Sequence, residues 1–319
     1  MKRATVATHA RLHLGFLDLD GGLGRSFGSI GLSLDQPALR VVLAQAAGGA
    51  NRAAGPDAER ALRALDSFAK ANGISGAHDL AMEGGIPAHV GLGSGTQLAL
   101  AVAAACRRLH GLPRDTRADA LQLRRGARSG IGAALFDLGG VVVDGGQGAV
   151  AGVPPVLARH DFPRAWCIVL LLDGALEGIH GEAERDAFAN LPPFSAAASG
   201  EVCRLVLAKA LPGLVERDIA AFGSAITQIQ VLLGDHFAPA QGGRFSSPRV
   251  TRALDALLAA GAAGGGQSSW GPAGFAFAAS ADEARRLAAT PAVALASQGL
   301  DMLFCHGRNA PADISLETF

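Results

Sequence analysis

The chain has 319 residues, 49% hydrophobic and 18% charged, which suffices for one large domain or two medium ones. Its 28 basic and 28 acidic side chains cancel, so nothing favours nucleic acid or an anionic membrane as a partner. The N-terminal segment lacks the apolar stretch of a signal peptide, and the longest apolar run, near residues 165–172, is too short to cross a bilayer. We therefore expect a cytoplasmic protein that contacts neither nucleic acid nor membrane.

The first part of the chain is predicted to form several antiparallel strands before its first helix. Polar and apolar residues alternate near the N-terminus, which is typical of a half-buried strand. Regular βαβ alternation is absent, so we predict the α+β class. In order, we expect strands at 4–17, 29–34 and 38–44, a helix at 58–71, a strand at 77–83, a Gly-rich turn at 91–95 and a helix at 96–110.

The second part is predicted to be richer in helices, and its Gly- and Pro-rich segment at 145–155 suggests a domain boundary. We therefore predict two domains, residues 1–155 and 156–319. The expected elements are a helix at 115–125, a strand at 140–143, a buried strand at 166–172, helices at 179–189, 196–210, 213–233 and 247–260, a loop between these last two helices, a second Gly-rich turn at 264–274, a helix at 281–290 and a strand at 300–305.

The Gly-rich turn GLGSGT at Gly91–Thr96 is a candidate phosphate site. A Gly-rich turn that opens a helix presents free backbone N–H groups at the positive end of the helix dipole. It is not a Walker A loop, because no Lys follows it, and it does not fit GxGxxG spacing. Taken alone, it is equally compatible with a plain tight turn into a helix.

Two further stretches lie downstream: RSGIGAALFDLGG at Arg128–Gly140 and GGGQSSWGPAG at Gly264–Gly274. With GLGSGT, their order and spacing resemble the three motifs of the GHMP small-molecule kinase superfamily. The resemblance spans nearly the whole chain. It implies a two-domain α+β fold, with an N-terminal domain like ribosomal protein S5 domain 2 and an α/β C-terminal domain.

Two positions depart from the kinase pattern. Kinases of this superfamily normally carry a hydroxyl residue after Gly-Leu-Gly-Ser, where this chain has Gly95. Mevalonate-type kinases carry a basic Asp in the second motif, where this chain has Gly132, which cannot accept a proton. Both departures lower the odds of kinase activity without excluding it.

A second resemblance accounts for these departures. The stretches ARLHLGFLDLDGGLGRSFGSIGLSL, IPAHVGLGSGTQLAL, RGARSGIGAALFDLGGVVVDGG and FAPAQGG, with the closing GRN, resemble the β-ribofuranosylaminobenzene 5′-phosphate synthase family. This branch implies a decarboxylating phosphoribosyl transferase of tetrahydromethanopterin biosynthesis. Phosphoribosyl pyrophosphate and 4-aminobenzoate or 4-hydroxybenzoate would be the substrates, and CO₂ and pyrophosphate would leave. The resemblance also implies a homodimer.

The proposed reaction needs a phosphate cradle, cations beside the departing pyrophosphate and a seat for a carboxylate. Mg²⁺ is the usual partner of pyrophosphate, although no metal ligand can be assigned and no organic cofactor is expected. The candidates come from the family-like stretches, and Arg11 and His13 share a strand face. We assign catalysis to Arg11, His13, Asp18 and Arg128, phosphate binding to Gly91, Gly93, Ser94, Gly95, Thr96, Gly265, Gly266 and Ser268, and substrate binding to Arg25, His89, Gln97, Ser129, Arg244 and Arg308.

Two alternatives remain open at this point. A true GHMP kinase would couple ATP hydrolysis to phosphorylation of a small alcohol or acid. A non-catalytic member would keep the cradle and bind a phosphate ligand without turnover. All three readings share the fold, so the fold alone does not separate them.

Overall fold

Two β-sheets with surrounding helices form the fold in this computed structural model, which describes residues 2–150 and 152–319. The strands are β1 (Lys2–Asp18), β2 (Phe27–Gln45), β3 (Arg52–Ala54), β4 (His78–Gly84), β5 (Val141–Asp144), β6 (Val156–His160), β7 (Cys167–Leu172), β8 (Gly264–Gln267), β9 (Gly274–Ala278), β10 (Asp301–Cys305) and β11 (Asp313–Thr318). The helices are α1 (Ala58–Ala71), α2 (Ser94–His110), α3 (Thr116–Gln122), α4 (Ile131–Leu138), α5 (Gly181–Asn190), α6 (Ala196–Leu205), a π-helical stretch (Val206–Ala210), α7 (Leu211–Glu216), α8 (Ile219–Gln241), α9 (Pro248–Ala259), α10 (Ala281–Ala288) and α11 (Pro291–Ala296).

The first sheet has the order β11-β1-β2-β4-β3, and β5 and β6 extend it from β2. The second sheet has the order β10-β7-β9-β8 and is antiparallel throughout. In the first sheet, the β3–β4 pair alone is parallel among the described strands. The predicted α+β class is confirmed.

Strand β2 runs through Pro37, where we predicted two separate strands. The pairing with β1 skips from Ser33 opposite Arg11 to Ala38 opposite His9, so the register shifts across this segment. Pro37 therefore lies in a bulge, where its missing N–H breaks no ladder hydrogen bond.

Helix α8 continues through Gln241, past Pro239, where the sequence predicted a loop. Phe237 explains this extension, because its ring is buried 4.5 Å from the ring of Trp270. Burial of this large aromatic side chain offsets the cost of Pro239 within the helix. The predicted helix at 213–233 is instead two helices that meet at Arg217 and Asp218, and Asp218 caps the second one.

Strand β7 is a continuous apolar run because its alternate residues are buried in two different hydrophobic clusters. Ile168, Leu170 and Leu172 face the main core, whereas Val169 and Leu171 pack in a second cluster with α9 and α10. Both faces of the strand are therefore covered by helices or by the core, as its composition predicted.

The first sheet contains strands from both of the predicted domains. Strand β6, just past the predicted boundary at 155, pairs with β5 in the first sheet. Strand β11, near the C-terminus, pairs with β1 in the same sheet. The division into 1–155 and 156–319 stays a prediction, and residue 151 of that segment lies outside the described residues. None of the helices described in 2–150 and 152–319 is long and apolar enough to cross a membrane.

Gln230 ties the two sheets together beneath the site. Its Nε2 donates to the carbonyl oxygen of Leu14 on β1 at 2.8 Å, and its Oε1 accepts from the amide of Gln267 on β8 at 2.8 Å. Both bonds are buried, where satisfied polar groups fix geometry strongly. The position of β1 relative to β8 is thereby fixed close to the candidate site.

Candidate active site

A cleft of about 390 Å³ lies where the N-terminus of α2 meets the β8–β9 turn. Segments from both halves of the chain form its walls, as is common for ligand sites. We define the cleft by its lining residues: Arg11, Arg60, His89, Gly91–Thr96, Arg125, Ile179–Gly181, Glu184 and Ser269–Gly271.

The Gly-rich turn forms one wall, and its glycines are required by close backbone approach. Gly91 has φ +87°, and a Cβ added there would lie 2.1 Å from the carbonyl oxygen of Ser268. Gly93 caps α2 at φ +79° and supplies no side chain to the helix terminus. The first amides of α2 thus remain available to an anion in the cleft.

Three guanidinium groups converge on this helix terminus. Arg11 donates through Nη1 to the carbonyl oxygen of Gly91 at 2.6 Å. A Cβ added at Gly95 would lie 2.9 Å from Nη2 of Arg60 and 3.4 Å from Nη1 of Arg125. The absence of a side chain at Gly95 therefore makes room for two of the three cations.

These cations are poorly neutralised by the protein. Burial lowers the pKa of Arg11 to about 10 against the opposing effect of the Glu184 carboxylate, which still leaves it charged at neutral pH. Burial, and then repulsion from Arg60, lowers the pKa of Arg125. Arg60 pairs with Asp57 at 2.9 Å, but in the described part of the chain neither Arg11 nor Arg125 has a carboxylate partner. The Nε atoms of both are buried without an acceptor, which suits a site that binds an anionic ligand.

His13 lies beside the cleft, not in it. It lines a small neighbouring cavity of about 20 Å³, and Ser269 and Trp270 form a wall that this cavity shares with the cleft. Burial lowers the pKa of His13 to about 3, so the imidazole is neutral at physiological pH. Arg11 and His13 are thus close in the strand, as predicted, but they face different cavities.

The second motif is tied together by Asp144, which is fully buried. Its carboxylate accepts from the amides of Gly130 and Gly146, at 2.9 and 2.8 Å, and from the hydroxyl of Ser129 at 3.3 Å. Ser129 is therefore a partner of this carboxylate and does not line the cleft. Arg128, one residue earlier, pairs with Glu184 of the cleft at 2.6 Å and lies over the ring of Phe188.

Asp144→Asn tests this network through pH. Burial raises the pKa of Asp144 from 3.8 to about 6, so the folded state binds this proton more tightly than the unfolded state. Its contribution therefore makes the free energy of unfolding fall as pH rises from 3.8 to 6. We expect the variant to lose this part of the fall in urea unfolding across that window. Asp282→Asn, at a 98% exposed side chain, is the control and should leave the fall intact. Equal slopes in wild type and Asp144→Asn would contradict the assignment.

Besides His13, Arg128 and Ser129, five further predicted site residues lie outside the cleft and make contacts elsewhere. Asp18 accepts from the amides of Asp20 and Gly21 and from Ser199, which makes it a turn residue tied to α6. Gln97 is 2% exposed and bonds Thr8 and the carbonyl of Gly132. The three arginines bond other partners: Arg25 the carbonyls of Gly145 and Gly146, Arg244 the carboxylate of Asp235, and Arg308 that of Asp313.

The predicted phosphate-binding residues of the second Gly-rich turn are also placed away from the cleft. Gly265 and Gly266 lie in β8, where an added Cβ would lie 2.4 Å from the carbonyl of Phe275 or 2.2 Å from Gln230. Ser268 is fully buried and donates to the carbonyl of Gly91 at 2.7 Å. These residues position the Gly-rich turn. Ser269, Trp270 and Gly271, just beyond them, provide the cleft wall.

The cleft does contain the rest of the predicted set: Arg11, His89, Gly91, Gly93, Ser94, Gly95 and Thr96. Four of its ionisable side chains were not assigned from the sequence: Arg60, Arg125, His180 and Glu184. Arg125 opens the family-like stretch RGARSG, so a signal was present there. Arg60 lies on an ordinary amphipathic helix. His180 belongs to none of the three motifs, although its ring stacks 3.8 Å from that of His89.

Two family models and several known proteins match this chain. A family model described as "GHMP kinases N terminal domain" matches residues 59–140, and one described as "GHMP kinases C terminal" matches residues 210–290. The chain is 34% identical over 289 residues to the β-ribofuranosylphenol 5′-phosphate synthase of Methanothermobacter thermautotrophicus, covering 84% of this chain and 86% of that protein. It is 38% identical over 239 residues to the protein of the same name from Archaeoglobus fulgidus, covering 71% of this chain and 75% of that one.

Solved structures show the same fold at lower identity. A homoserine kinase from Cytophaga hutchinsonii superposes with a TM-score of 0.67 at 18% identity, covering 98% of this chain and 97% of that one. The mevalonate kinase of Methanococcus jannaschii superposes with a TM-score of 0.69 at 12% identity, covering 96% and 98%. The GHMP-kinase-like fold implied by the three motifs is confirmed.

Proposed function

Because the chain belongs to the β-ribofuranosylphenol 5′-phosphate synthase family, we propose that it joins phosphoribosyl pyrophosphate to a 4-substituted benzoate and releases CO₂ and pyrophosphate. Membership in a family of synthases makes the chain an enzyme. Its relatives are named for a phenol product, which makes 4-hydroxybenzoate the first candidate for the acid. 4-Aminobenzoate remains the second candidate.

One observation carries this proposal: three guanidiniums surround the N-terminus of α2. Arg11, Arg60 and Arg125 face the Gly-rich turn, and the one acid of the cleft, Glu184, is paired with Arg128. This arrangement leaves a strong positive potential where a diphosphate would bind. Fixed cations and amides stabilise negative charge as it develops on a leaving group.

The proposed reaction depends mainly on cations that stabilise the departing pyrophosphate. The C1–O bond of the ribosyl group breaks, and pyrophosphate takes the electron pair. The ring carbon that bears the carboxylate attacks C1, and loss of CO₂ returns the electrons of the C–C bond to the ring. No proton is gained or lost by the ring in this balance, so the step needs no general base. The cleft accordingly needs leaving-group stabilisation by Arg11, Arg60 and Arg125, and no unpaired carboxylate.

Neighbouring side chains fill both positions that distinguish kinases. The guanidinium ends of Arg60 and Arg125 occupy the space beside Gly95. A Cβ added at Gly132 would lie 2.9 Å from Cγ2 of Thr96, so an aspartate there would displace that side chain. These contacts support a transferase over a kinase.

An apolar part of the cleft wall suits the ring of the aromatic acid. Ile179 is half-buried at the rim, and Trp270 forms the wall shared with the cavity of His13. Trp270 packs against Phe188 and Phe237, at ring distances of 5.3 and 4.5 Å, so the wall is rigid. We place the benzoate ring at this wall, which leaves the guanidiniums to the diphosphate.

Magnesium fits this site only as an ion that arrives with the substrate. No group of three or more His, Cys, Asp and Glu side chains suited to a metal occurs in residues 2–150 and 152–319. Glu184 supplies one carboxylate, and the hydroxyls of Ser94 and Thr96 are weak ligands. Mg²⁺ commonly binds through one or two carboxylates together with substrate phosphates. When bound, the ion would neutralise charge on the diphosphate.

A product assay tests the proposal. We expect purified protein with Mg²⁺, phosphoribosyl pyrophosphate and 4-hydroxybenzoate to give a ribofuranosylphenol 5′-phosphate, identified by mass spectrometry. A parallel reaction with 4-aminobenzoate decides the acid. ATP with small alcohols provides the kinase arm. Absence of product with either acid, together with ATP-dependent phosphorylation of an alcohol, would overturn the proposal in favour of a kinase. On the family resemblance, we also propose a cytoplasmic homodimer in tetrahydromethanopterin biosynthesis.

A further inference from the structure

A second basic cavity of about 370 Å³ lies behind the cleft, between α1 and the end of α3. Four arginines line it: Arg60, Arg63, Arg124 and Arg125. We call it the arginine pocket. Arg60 and Arg125 line the cleft as well, so the two spaces adjoin across these two side chains.

The arginine pocket has an excess of positive charge. None of the described residues that line it is acidic. Arg60 has an ion pair with Asp57 at 2.9 Å and Arg63 has one with Glu59 at 3.6 Å, but neither carboxylate lines the pocket, and that of Glu59 is 92% exposed. Ion pairs in such exposed positions neutralise little charge. Four clustered guanidiniums repel one another unless an anion binds among them.

Two buried donors on the pocket lining have no acceptor. Asn72 donates to Oε1 of Gln122 at 3.1 Å, which orients the amide and leaves its Nε2 buried and unpaired. Nε of Arg125 is buried and unpaired too. Buried donors normally have partners, so these two N–H groups favour the binding of an acceptor among the arginines.

We propose that the arginine pocket binds the 5′-phosphate of the ribosyl substrate while the cleft binds its diphosphate. This inference rests on the proposed function, since a ribose that carries a diphosphate at C1 and a monoester at C5 has two separate anionic ends. The shared Arg60 and Arg125 would contact both ends. Arg63 and Arg124 line only the arginine pocket, and Arg11 lines only the cleft.

This division of residues allows a test by direct binding. Ribose 5-phosphate and inorganic pyrophosphate are titrated separately into the whole protein by calorimetry. We expect Arg63→Ala/Arg124→Ala to weaken ribose 5-phosphate binding at least about tenfold, which corresponds to one lost charge-assisted hydrogen bond. Pyrophosphate binding should change less than about twofold, because neither residue lines the cleft.

Arg11→Met should show the opposite pattern, weakening pyrophosphate and sparing ribose 5-phosphate. Arg285→Ala/Arg286→Ala, on exposed α10, removes the same charge and should alter neither affinity. Unchanged ribose 5-phosphate binding in Arg63→Ala/Arg124→Ala, or equal weakening of both ligands, overturns the inference. If the binding pattern holds while the wild type forms no product, the pocket stands and the proposed reaction fails. If product forms without the pattern, the reaction stands and the pocket fails.

Discussion

Arg125→Met is expected to lower kcat/KM for phosphoribosyl pyrophosphate by about 10²–10³, the usual loss when one fixed donor to a developing anion is removed. The same change should leave the free energy of unfolding unchanged or higher. Arg125 is half-buried, burial and Arg60 lower its pKa, and no carboxylate in the described chain pairs with it. Removing an unpaired, desolvated cation relieves a cost in the free protein. Steady-state kinetics and urea unfolding on one preparation measure both effects.

Arg249→Met provides the contrasting control. Arg249 pairs with Asp173, whose side chain is fully buried, while Arg249 itself is 36% exposed. Its loss should leave that carboxylate short of a donor and cost about 2 kcal/mol of stability. Turnover should be retained, because neither residue lines the cleft. If Arg125→Met loses stability and activity together, as a structural arginine would, its assignment to the diphosphate is wrong.

Gly91→Ala is expected to damage both the fold and the cleft. The residue has φ +87°, and an added Cβ would lie 2.1 Å from the carbonyl oxygen of Ser268, which belongs to the rigid β8–β9 turn. We expect a loss of about 3 kcal/mol from the strained backbone and the forced separation. The displaced turn should also weaken pyrophosphate binding severely, because Gly91 also accepts the hydrogen bond from Arg11.

Gly111→Ala separates these two causes. Gly111 ends the same helix α2 at φ +68°, and an added Cβ there meets nothing within 4 Å. This variant should lose only about 1 kcal/mol, the cost of a left-handed Ala, and keep normal pyrophosphate affinity. Thermal unfolding and calorimetry of the two variants make the comparison. Equal losses in both would show that the contact with Ser268 is not what requires Gly91.

The Gly-rich turn at Gly91–Thr96 and the helix that it opens could be predicted because their signals are local. A Gly-rich turn at the start of a helix presents free amides wherever it occurs, and the residues of the turn and of the helix start are consecutive in the sequence. The fold class was likewise accessible, since strand periodicity near the N-terminus and the order of three motifs are properties of the chain. The structure confirms the fold.

The remaining walls of the cleft depend on tertiary contacts. Arg60 and Arg125 are distant in sequence, and their guanidinium ends approach each other beside Gly95, which has no side chain to separate them. Arg11 and His13 share a strand face, but the Ser269–Trp270 wall comes from the other half of the chain and separates them. The glycines at 264–266 looked like a phosphate turn, whereas Gly264 and Gly266 allow the close approach of α8 to β8 and Gly265 that of β9 and α9. No local pattern carries such information.

We propose that one cleft couples loss of pyrophosphate to decarboxylation of the aromatic acid. The most direct measurement counts labelled CO₂ and pyrophosphate in the same reaction, with phosphoribosyl pyrophosphate and carboxyl-labelled 4-hydroxybenzoate or 4-aminobenzoate. We predict that the two products appear in equal amounts, only when both substrates are present, and that both fall together in Arg125→Met. Pyrophosphate released without CO₂, or release that does not require the aromatic acid, would contradict this account.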